Sequence, residues 1–433
     1  MIDHLRAYPM VVLLIPVVAA ILLWRFFSPS PPSDEEEHAY PFVLLSMPKS
    51  TAKCVRYKAR VLPRGEVFLY ILRDSACAMP PQYGDTIVAY TRIEREGTIA
   101  RAFVSRYRLL PSSDPNHTPP LQWRLYRRLN EAGLSGEKLA TVGALTLGYK
   151  DDIDPEVRRA FQASGAAHVL AVSGLHTGII YALLIGLLTL GGRYKPLHED
   201  RIHRCTLSLI IIGAMWGYAW LTGMTPSVVR AVLMLTLVEI GHMLYRRAFS
   251  LNTIAAAAVL ILFVRPTDLF SISFQLSFAA TAAIVLLVNK ILPRYYGSNR
   301  SLPTHGVPGA LAKYISGLVV VSLAAQIGTL PITLYTFGQF STYFLLTNMI
   351  VLPLATLLVP CGMLSIALGG TAPGLIVGKL TNGLAWFLNR SVQWIESWPF
   401  STVEGHINGL MVGIYYIIIV FFIGLFAFSK KKQ

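Results

Sequence analysis

Tyr343-Phe-Leu-Leu-Thr-Asn-Met-Ile-Val-Leu-Pro-Leu-Ala-Thr-Leu-Leu-Val-Pro-Cys-Gly-Met-Leu-Ser-Ile-Ala-Leu-Gly369 runs for 27 residues without an Asp, Glu, Lys or Arg. A helix needs about 20 apolar residues to cross a bilayer, so this stretch reads as a membrane span. Pro353 and Pro360 interrupt it. Inside lipid such breaks survive only when buried in protein or lining a wet cavity. Working outward, nine more stretches share its character: 8–27, 168–190, 205–221, 226–243, 251–264, 269–289, 314–336, 374–396 and 408–428. Full crossings, re-entrant segments and half-helices stay open for individual members of this set. The composition agrees. Of 433 residues, 54% are hydrophobic and 14% charged, against about 25% charged in soluble domains. This excludes intrinsic disorder and argues against an ordinary cytosolic enzyme. An α-helical polytopic membrane protein with about ten membrane segments remains.

The net charge of +15 gains meaning once the loops are sided. Cytoplasmic loops carry the excess of Lys and Arg. With the N-terminus inside, fourteen fall in inside loops: Arg6, Arg193, Lys195, Arg201, Arg204, Arg246, Arg247, Lys290, Arg294, Arg300, Lys313 and Lys430 to Lys432. The short outside loops hold Arg265 alone, and Arg25 counts mildly against the assignment. Both termini are therefore expected in the cytoplasm. Residues 1–27 read as a retained N-terminal anchor, because the apolar run is long and no small-residue cleavage site follows it.

Residues 28–167 form one outside block. Residues 28–37 are a polar linker, 38–115 a small extracytoplasmic β-barrel inserted after the first helix, and 116–167 amphipathic or interfacial helices. Residues 168–429 are the polytopic domain and 430–433 a basic tail. The barrel rests on alternation: Val55, Tyr57, Ala59 and Val61; Val67, Leu69 and Ile71; Ile87, Val88 and Tyr90. Its length suits a five-stranded OB-like barrel. Residues 38–128 contain fifteen Lys and Arg against six Asp and Glu. Arg92, Arg95, Arg101, Arg106 and Arg108 cluster with Phe103 and Tyr107. Basic residues interleaved with aromatics suit single-stranded nucleic acid. A solvated face beside anionic lipid headgroups is the alternative. Cys54 and Cys77 lie in a compartment that permits a disulfide, or are two buried thiols; Cys205 and Cys361 read as packing residues. Leu121, Leu125 and Leu129 recur beside Arg124, Arg127 and Arg128. This reads as an interfacial helix on the outer leaflet or a helix packed on the barrel. Asp154-Pro155 opens another helix as N-cap and first residue.

Polar residues inside membrane segments mark bundle interiors and aqueous paths. Here they are His168, Ser173, His176, Arg230, Glu239, His242, Gln275, Gln326, Asn348 and Arg390. Arg230 lies about a turn into a span and reads as functional, with snorkelling to the interface as the alternative. Gln275 and Gln326 serve as interhelical glue or as pore lining. Glu239 and His242, three apart, read as a satisfied pair rather than a proton relay. Ser173 and His176 are not read as a hydrolase dyad, since residues three apart on one helix are offset by a turn and no orienting carboxylate is near. His198 and His203 are five apart, where a zinc helix needs four. No P-loop, Cys-x-x-Cys or metal motif occurs, so no cofactor and no enzyme activity are expected.

His168-Val-Leu-Ala-Val-Ser-Gly-Leu-His176, Leu221-Thr-Gly-Met-Thr-Pro-Ser-Val-Val-Arg-Ala-Val-Leu-Met234 and Asp268-Leu-Phe-Ser-Ile-Ser-Phe-Gln-Leu-Ser-Phe278 resemble signatures of the bacterial ComEC-type competence proteins. Gln326-Ile-Gly-Thr-Leu-Pro-Ile332, then Phe337-Gly-Gln-Phe-Ser341 and Asn348, continue the resemblance. The outside block resembles that family's OB-like domain, including Tyr83-Gly-Asp85. The resemblance implies an inner-membrane channel for single-stranded DNA in natural transformation. It implies an extracytoplasmic DNA receptor, a cytoplasmic ATP-driven translocase and contact with membrane lipids; a homo-oligomer stays open. Many relatives carry a C-terminal metallo-β-lactamase-like domain. No His-x-His-x-Asp-His occurs here, so a form without that domain and without nuclease activity is expected. Arg230 would face phosphate near the outer mouth. His176, Gln275, Gln326 and Asn348 would be polar lining or glue, and Arg92 to Arg108 would collect the strand. The rival reading is a permease for a small anionic solute, or a repurposed paralogue; the absence of an evident internal repeat counts against the permease.

Overall fold

In the computed structural model, the described residues are 9–27, 38–45, 49–50, 54–61, 65–72, 81, 84–96, 99–110, 121–150, 152–189, 201–245, 251–297 and 306–429. The chain divides into a smaller unit, Phe27–Arg124, and a larger one, Met1–Phe26 with Leu125–Gln433.

The smaller unit is a curled sheet, a half-barrel. Its strands are β1 (His38–Leu44), β2 (Lys49–Ser50), β3 (Cys54–Val61), β4 (Gly65–Leu72), β5 (Thr86–Thr91), β6 (Ile93–Glu96), β7 (Ile99–Val104) and β8 (Tyr107–Leu109). The order is β6-β7-β4-β3-β1-β5-β8, with β2 on β3. All pairs are antiparallel except β4 with β7, which is parallel. Successive side chains on a strand point to opposite faces, and the sequence obeys this. Tyr40, Phe42 and Leu44, Tyr57, Ala59 and Val61, and Val67, Leu69 and Ile71 all turn into one core. Each large apolar side chain buried there contributes about 1.5–3 kcal/mol. The Thr91 hydroxyl donates to Phe103 O at 2.8 Å, tying the end of β5 to β7. The Tyr57 hydroxyl donates to Pro81 O at 3.0 Å, and burial pushes its pKa well above the ordinary range.

The larger unit is helical: α1 (Pro9–Phe27), α2 (Leu121–Glu131), α3 (Gly136–Leu147), α4 (Pro155–Ala163), α5 (Gly174–Leu188), α6 (Arg201–Leu221), α7 (Pro226–Met243), α8 (Leu251–Val264), α9 (Ile272–Gly297), α10 (Gly306–Phe337), α11 (Phe344–Leu368), α12 (Ala372–Glu396) and α13 (Gly409–Ser429). A short pair, β9 (Gln339–Ser341) with β10 (Thr402–Glu404), joins two of its links. Among the described residues, four helices are long and apolar enough to cross a membrane: Ile202–Leu221, Pro226–Met243, Leu311–Phe337 and Phe344–Leu368. Every one of the ten expected segments contains a helix, and among the others α8 is short and α12 is polar. At 1.5 Å per residue, α8 is about 21 Å long, under the roughly 30 Å of a hydrocarbon core. α12 carries Lys379, Arg390 and Glu396.

Three features differ from the sequence reading. First, the prolines do not break their helices: α10 runs through Pro331 and α11 through Pro353 and Pro360. Pro331 has no N–H for the carbonyl of Ile327 four residues back. The Tyr415 hydroxyl of α13 donates to that carbonyl at 3.1 Å, and Tyr416 donates to Gly328 O at 2.7 Å.

Second, the helices expected at 116–167 outside the membrane belong, from Leu125 on, to the larger unit. Ala140 to Leu147 of α3 are all buried, in a core shared with α11 and α12. Small residues make the room. Gly362 of α11 receives Thr146, and Gly378 of α12 lies against the backbone of Ala132. Arg128 donates to Gly369 O at 3.2 Å. The α2 end and the α11–α12 link therefore share one end of the unit, where the loop assignment set them on opposite sides. Third, Arg204 is no loop residue: it is fully buried on α6, its guanidinium 3.1 Å from the centre of the Tyr245 ring.

Candidate nucleic-acid face and the motif cluster

In the smaller unit, the residues that alternate with the buried set on β3, β4 and β7 face outward. They include Arg56, Phe68, Tyr70, Arg101 and Phe103. The registers align them: Arg56 opposite Tyr70, Phe68 opposite Arg101, and Tyr70 opposite Phe103. Tyr70 and Phe103 stack with centroids 5.1 Å apart and planes 21° apart. The Arg56 guanidinium sits 5.7 Å from the Phe68 ring centre, a cation–π distance. Phe103 is 54% exposed. A base needs such an exposed ring to stack on, and a cation nearby for its phosphate.

The cluster expected from sequence is only partly assembled. Arg101 and Phe103 share this face. Arg92 is exposed between β5 and β6, Arg106 lies in the link before β8, and Arg108 is exposed on β8. β8 pairs with β5, at the far end of the strand order from β7. Tyr107 packs against the core instead of projecting. Arg95 lies on β6 opposite Ala100, and its side chain is outside what the structure describes. Cys54 begins β3; Cys77, its expected disulfide partner, lies outside the described residues. Sequence reasoning missed Arg56, Phe68 and Tyr70. The signal was there, as outward positions of strands already recognised, but the parallel β4–β7 register that joins them spans some thirty residues.

In the larger unit, three of the quoted runs meet. The Ser227 hydroxyl donates to Val172 O at 2.7 Å, fixing the 168–173 segment on α7. Arg230, one turn further, is 3% exposed. Its Nη2 donates to Ser273 O at 2.9 Å and to Ser273 Oγ at 2.6 Å. Gln275 closes the same turn by donating to Leu269 O at 3.1 Å. Arg230 is thus buried and holds the 271–275 segment, where snorkelling would have carried it to the interface. His168 is exposed, with Nδ1 3.1 Å from Gly165 O. Asn348, buried on α11, donates to Ser322 Oγ of α10 at 3.3 Å. Gln326 is half-buried on α10, one turn beyond Ser322.

Ser173 and His176 do come together, contrary to the spacing argument. Ser173 is the N-cap of α5, not a helical residue, so its side chain turns back over the first turn. Its N–H donates to His176 Nδ1 at 3.1 Å, and Oγ lies 3.0 Å from the same atom. Accepting at Nδ1 puts the ring proton on Nε2. That atom is buried with no partner among the described residues, as are Arg230 Nε and Asn348 Oδ1. Two donors, His176 Nε2 and Arg230 Nε, are thus buried without a partner among the described residues. Glu239 is also more than half of a pair. It accepts from Tyr181 at 2.5 Å and from Ser208 at 2.6 Å, with His242 Nδ1 at 3.5 Å. The carboxylate therefore staples α5, α6 and α7. Among the described residues no group of His, Cys, Asp or Glu is arranged to hold a metal.

Comparison with known proteins gives these motifs a context. The family model described as Competence protein matches residues 145–430. The chain is similar to ComE operon protein 3 of Bacillus subtilis, 30% identical over 268 residues, covering 61% of this chain and 30% of that one. It is similar to an uncharacterized protein of Aquifex aeolicus, 30% identical over 236 residues, covering 54% of this chain and 49% of that one. It is also similar to Recombination protein 2 of Haemophilus influenzae, 23% identical over 282 residues, covering 64% and 34%. The chain thus spans from under a third to about half the length of these relatives. No solved structure matches it.

Proposed function

From the premise that this chain belongs to the Competence protein family, we propose that it is an inner-membrane channel for single-stranded DNA in natural transformation. The observation that carries this is the outward face of β3, β4 and β7, where Tyr70 stacks on Phe103 and Arg56 and Arg101 stand beside them. A DNA strand needs both parts of that face, rings for bases and cations for phosphates. The strand path supports an OB-like identity. An antiparallel run β1-β3-β4, a parallel β4–β7 pair and β5 closing on β1 are the connections such a small barrel uses. On the same reading the larger unit crosses the membrane with about ten segments, several of them short helices buried against neighbours, and both termini lie in the cytoplasm, the side to which the Lys and Arg count assigns them.

On this reading the membrane path offers weak, repeated sites so that the strand enters and leaves. The unspent donors of His176 and Arg230 suit passing phosphates or the water that travels with them. The chain would act without catalysis, Ser173 and His176 serving as a helix cap. An extracytoplasmic receptor would deliver the strand and a cytoplasmic ATP-driven translocase would pull it. The same donors favour the rival reading, a permease for a small anion. Oligonucleotide binding by the full-length protein separates the two. A DNA channel binds a labelled oligo-dT with affinity that falls steeply with salt; a small-anion permease leaves the oligonucleotide unbound at low salt.

A further inference from the structure

α3 enters the larger unit with its first turn open. Its N-cap, Ser135, has φ −151° and ψ 158°, and the side chain makes no capping bond. The first N–H groups of a helix have no partners within it, and with the helix dipole they form a ready anion site. Here Ser135, Gly136, Glu137 and Lys138 form one wall of an open cleft of about 520 Å³. The other wall is a single face of α12: Trp386, Asn389, Arg390 and Gln393, spaced as residues on one side of a helix.

Asn389 makes this more than a helix end. It is 5% exposed, and its Oδ1 accepts from the Thr141 hydroxyl at 3.0 Å. Its Nδ2 is buried and has no partner among the described residues. A buried amide donor without a partner is rare, and this one lines the cleft. The lining holds two cations, Lys138 and Arg390, against one carboxylate, Glu137. Donors and charge together select an anion. On α12 itself, Leu375, Ile376, Leu380, Phe387 and Trp394 are exposed apolar residues, and Trp386 in the cleft is 58% exposed. A soluble phosphate has no use for that apolar surface; the chains of a lipid do. Exposed tryptophans mark the headgroup level of a bilayer, and basic pockets between membrane helices hold anionic headgroups.

We propose that the cleft between the α3 N-terminus and α12 binds the phosphate of an anionic phospholipid, whose chains lie along the apolar side of α12. The inference rests on the membrane reading of this unit and not on DNA uptake, so the two fail separately.

The test uses full-length protein in nanodiscs of phosphatidylcholine, with either brominated phosphatidylglycerol or brominated phosphatidylcholine added at equal fraction. The fluorescence lost in W386F isolates the Trp386 signal. The expected result is stronger quenching of Trp386 by brominated phosphatidylglycerol. Arg390→Gln and Lys138→Gln, both at accessible positions, should each lower that preference about fivefold, the effect of one basic residue at an anionic surface. Unlabelled phosphatidylglycerol should restore the signal, and inorganic phosphate or oligo-dT should not. Equal quenching by the two lipids overturns the proposal, as does a preference untouched by either substitution. Displacement by oligo-dT or by inorganic phosphate would assign the cleft to a strand or a soluble anion and equally overturn the lipid.

Discussion

Phe103→Ala removes one of the two rings of the Tyr70–Phe103 stack. Phe103 points outward and is 54% exposed, while Ala102 and Val104 hold β7 in the core at 0% exposure. The substitution should therefore spare the fold. Stacking of a base on an aromatic side chain is worth about 1–3 kcal/mol. Tyr70 also loses a neighbour worth about 0.5–1.5 kcal/mol of orientation. The two losses overlap, because a looser Tyr70 still offers a ring. The expected cost is therefore about 1.5–3 kcal/mol, which raises the dissociation constant for single-stranded DNA about 10- to 150-fold. Fluorescence anisotropy of a labelled oligo-dT, titrated with full-length protein in detergent at fixed low salt, reads this directly. Phe103→Tyr should bind like the wild type, since the ring survives. A Phe103→Ala protein that is folded and binds within about twofold of wild type would refute the stacking argument.

Other outcomes follow from the same geometry. Arg56→Gln removes one phosphate-facing cation, so the slope of log affinity against log salt should shrink by about 0.7; an unchanged slope would remove Arg56 from the strand's path. Gly328→Ala should destabilise the α9–α10 contact, because a Cβ there would lie 2.6 Å from Ala279 O. The expected cost is about 1–3 kcal/mol, seen as a lower midpoint in thermal unfolding in detergent; an unchanged midpoint would mean the crossing is looser than described. Tyr415→Phe leaves Ile327 O without its hydroxyl donor beside Pro331, and should cost about 0.5–1.5 kcal/mol in the same assay. Ser173 should resist a serine-reactive fluorophosphonate, since it is the N-cap of α5 and takes part in that helix's capping box; covalent labelling abolished by Ser173→Ala would reinstate a hydrolase.

Much of this was legible in the residues. Alternation along β3 and β4 named the inward residues correctly, because one buried face forces a period of two. It did not disclose the outward partners. Tyr70 and Phe103 meet only through the parallel β4–β7 register, which no local pattern encodes. Hydropathy found a helix in each long apolar run. It left α3 among the helices expected at 116–167 outside the membrane, because its twelve residues are too few to cross lipid, yet they suffice to fill a core. Spacing misjudged Ser173 and His176, because the rule for residues three apart holds only inside a helix and Ser173 is its cap. Charge counting misplaced Arg204, since a count of Lys and Arg does not register that a side chain is buried under Tyr245. Prolines looked like breaks because the hydroxyls that repair Pro331 come from Tyr415 and Tyr416, more than 80 residues away.

The most direct test of the central claim is uptake itself. Host cells with and without this chain receive labelled transforming DNA, and the nuclease-resistant label that reaches the cytoplasm is measured. The channel reading predicts that the protected label disappears without the chain and returns with the wild-type protein, and that Phe103→Ala restores it only in part. Unchanged protected label in cells lacking the chain would contradict a DNA channel and leave the small-anion permease as the reading to pursue.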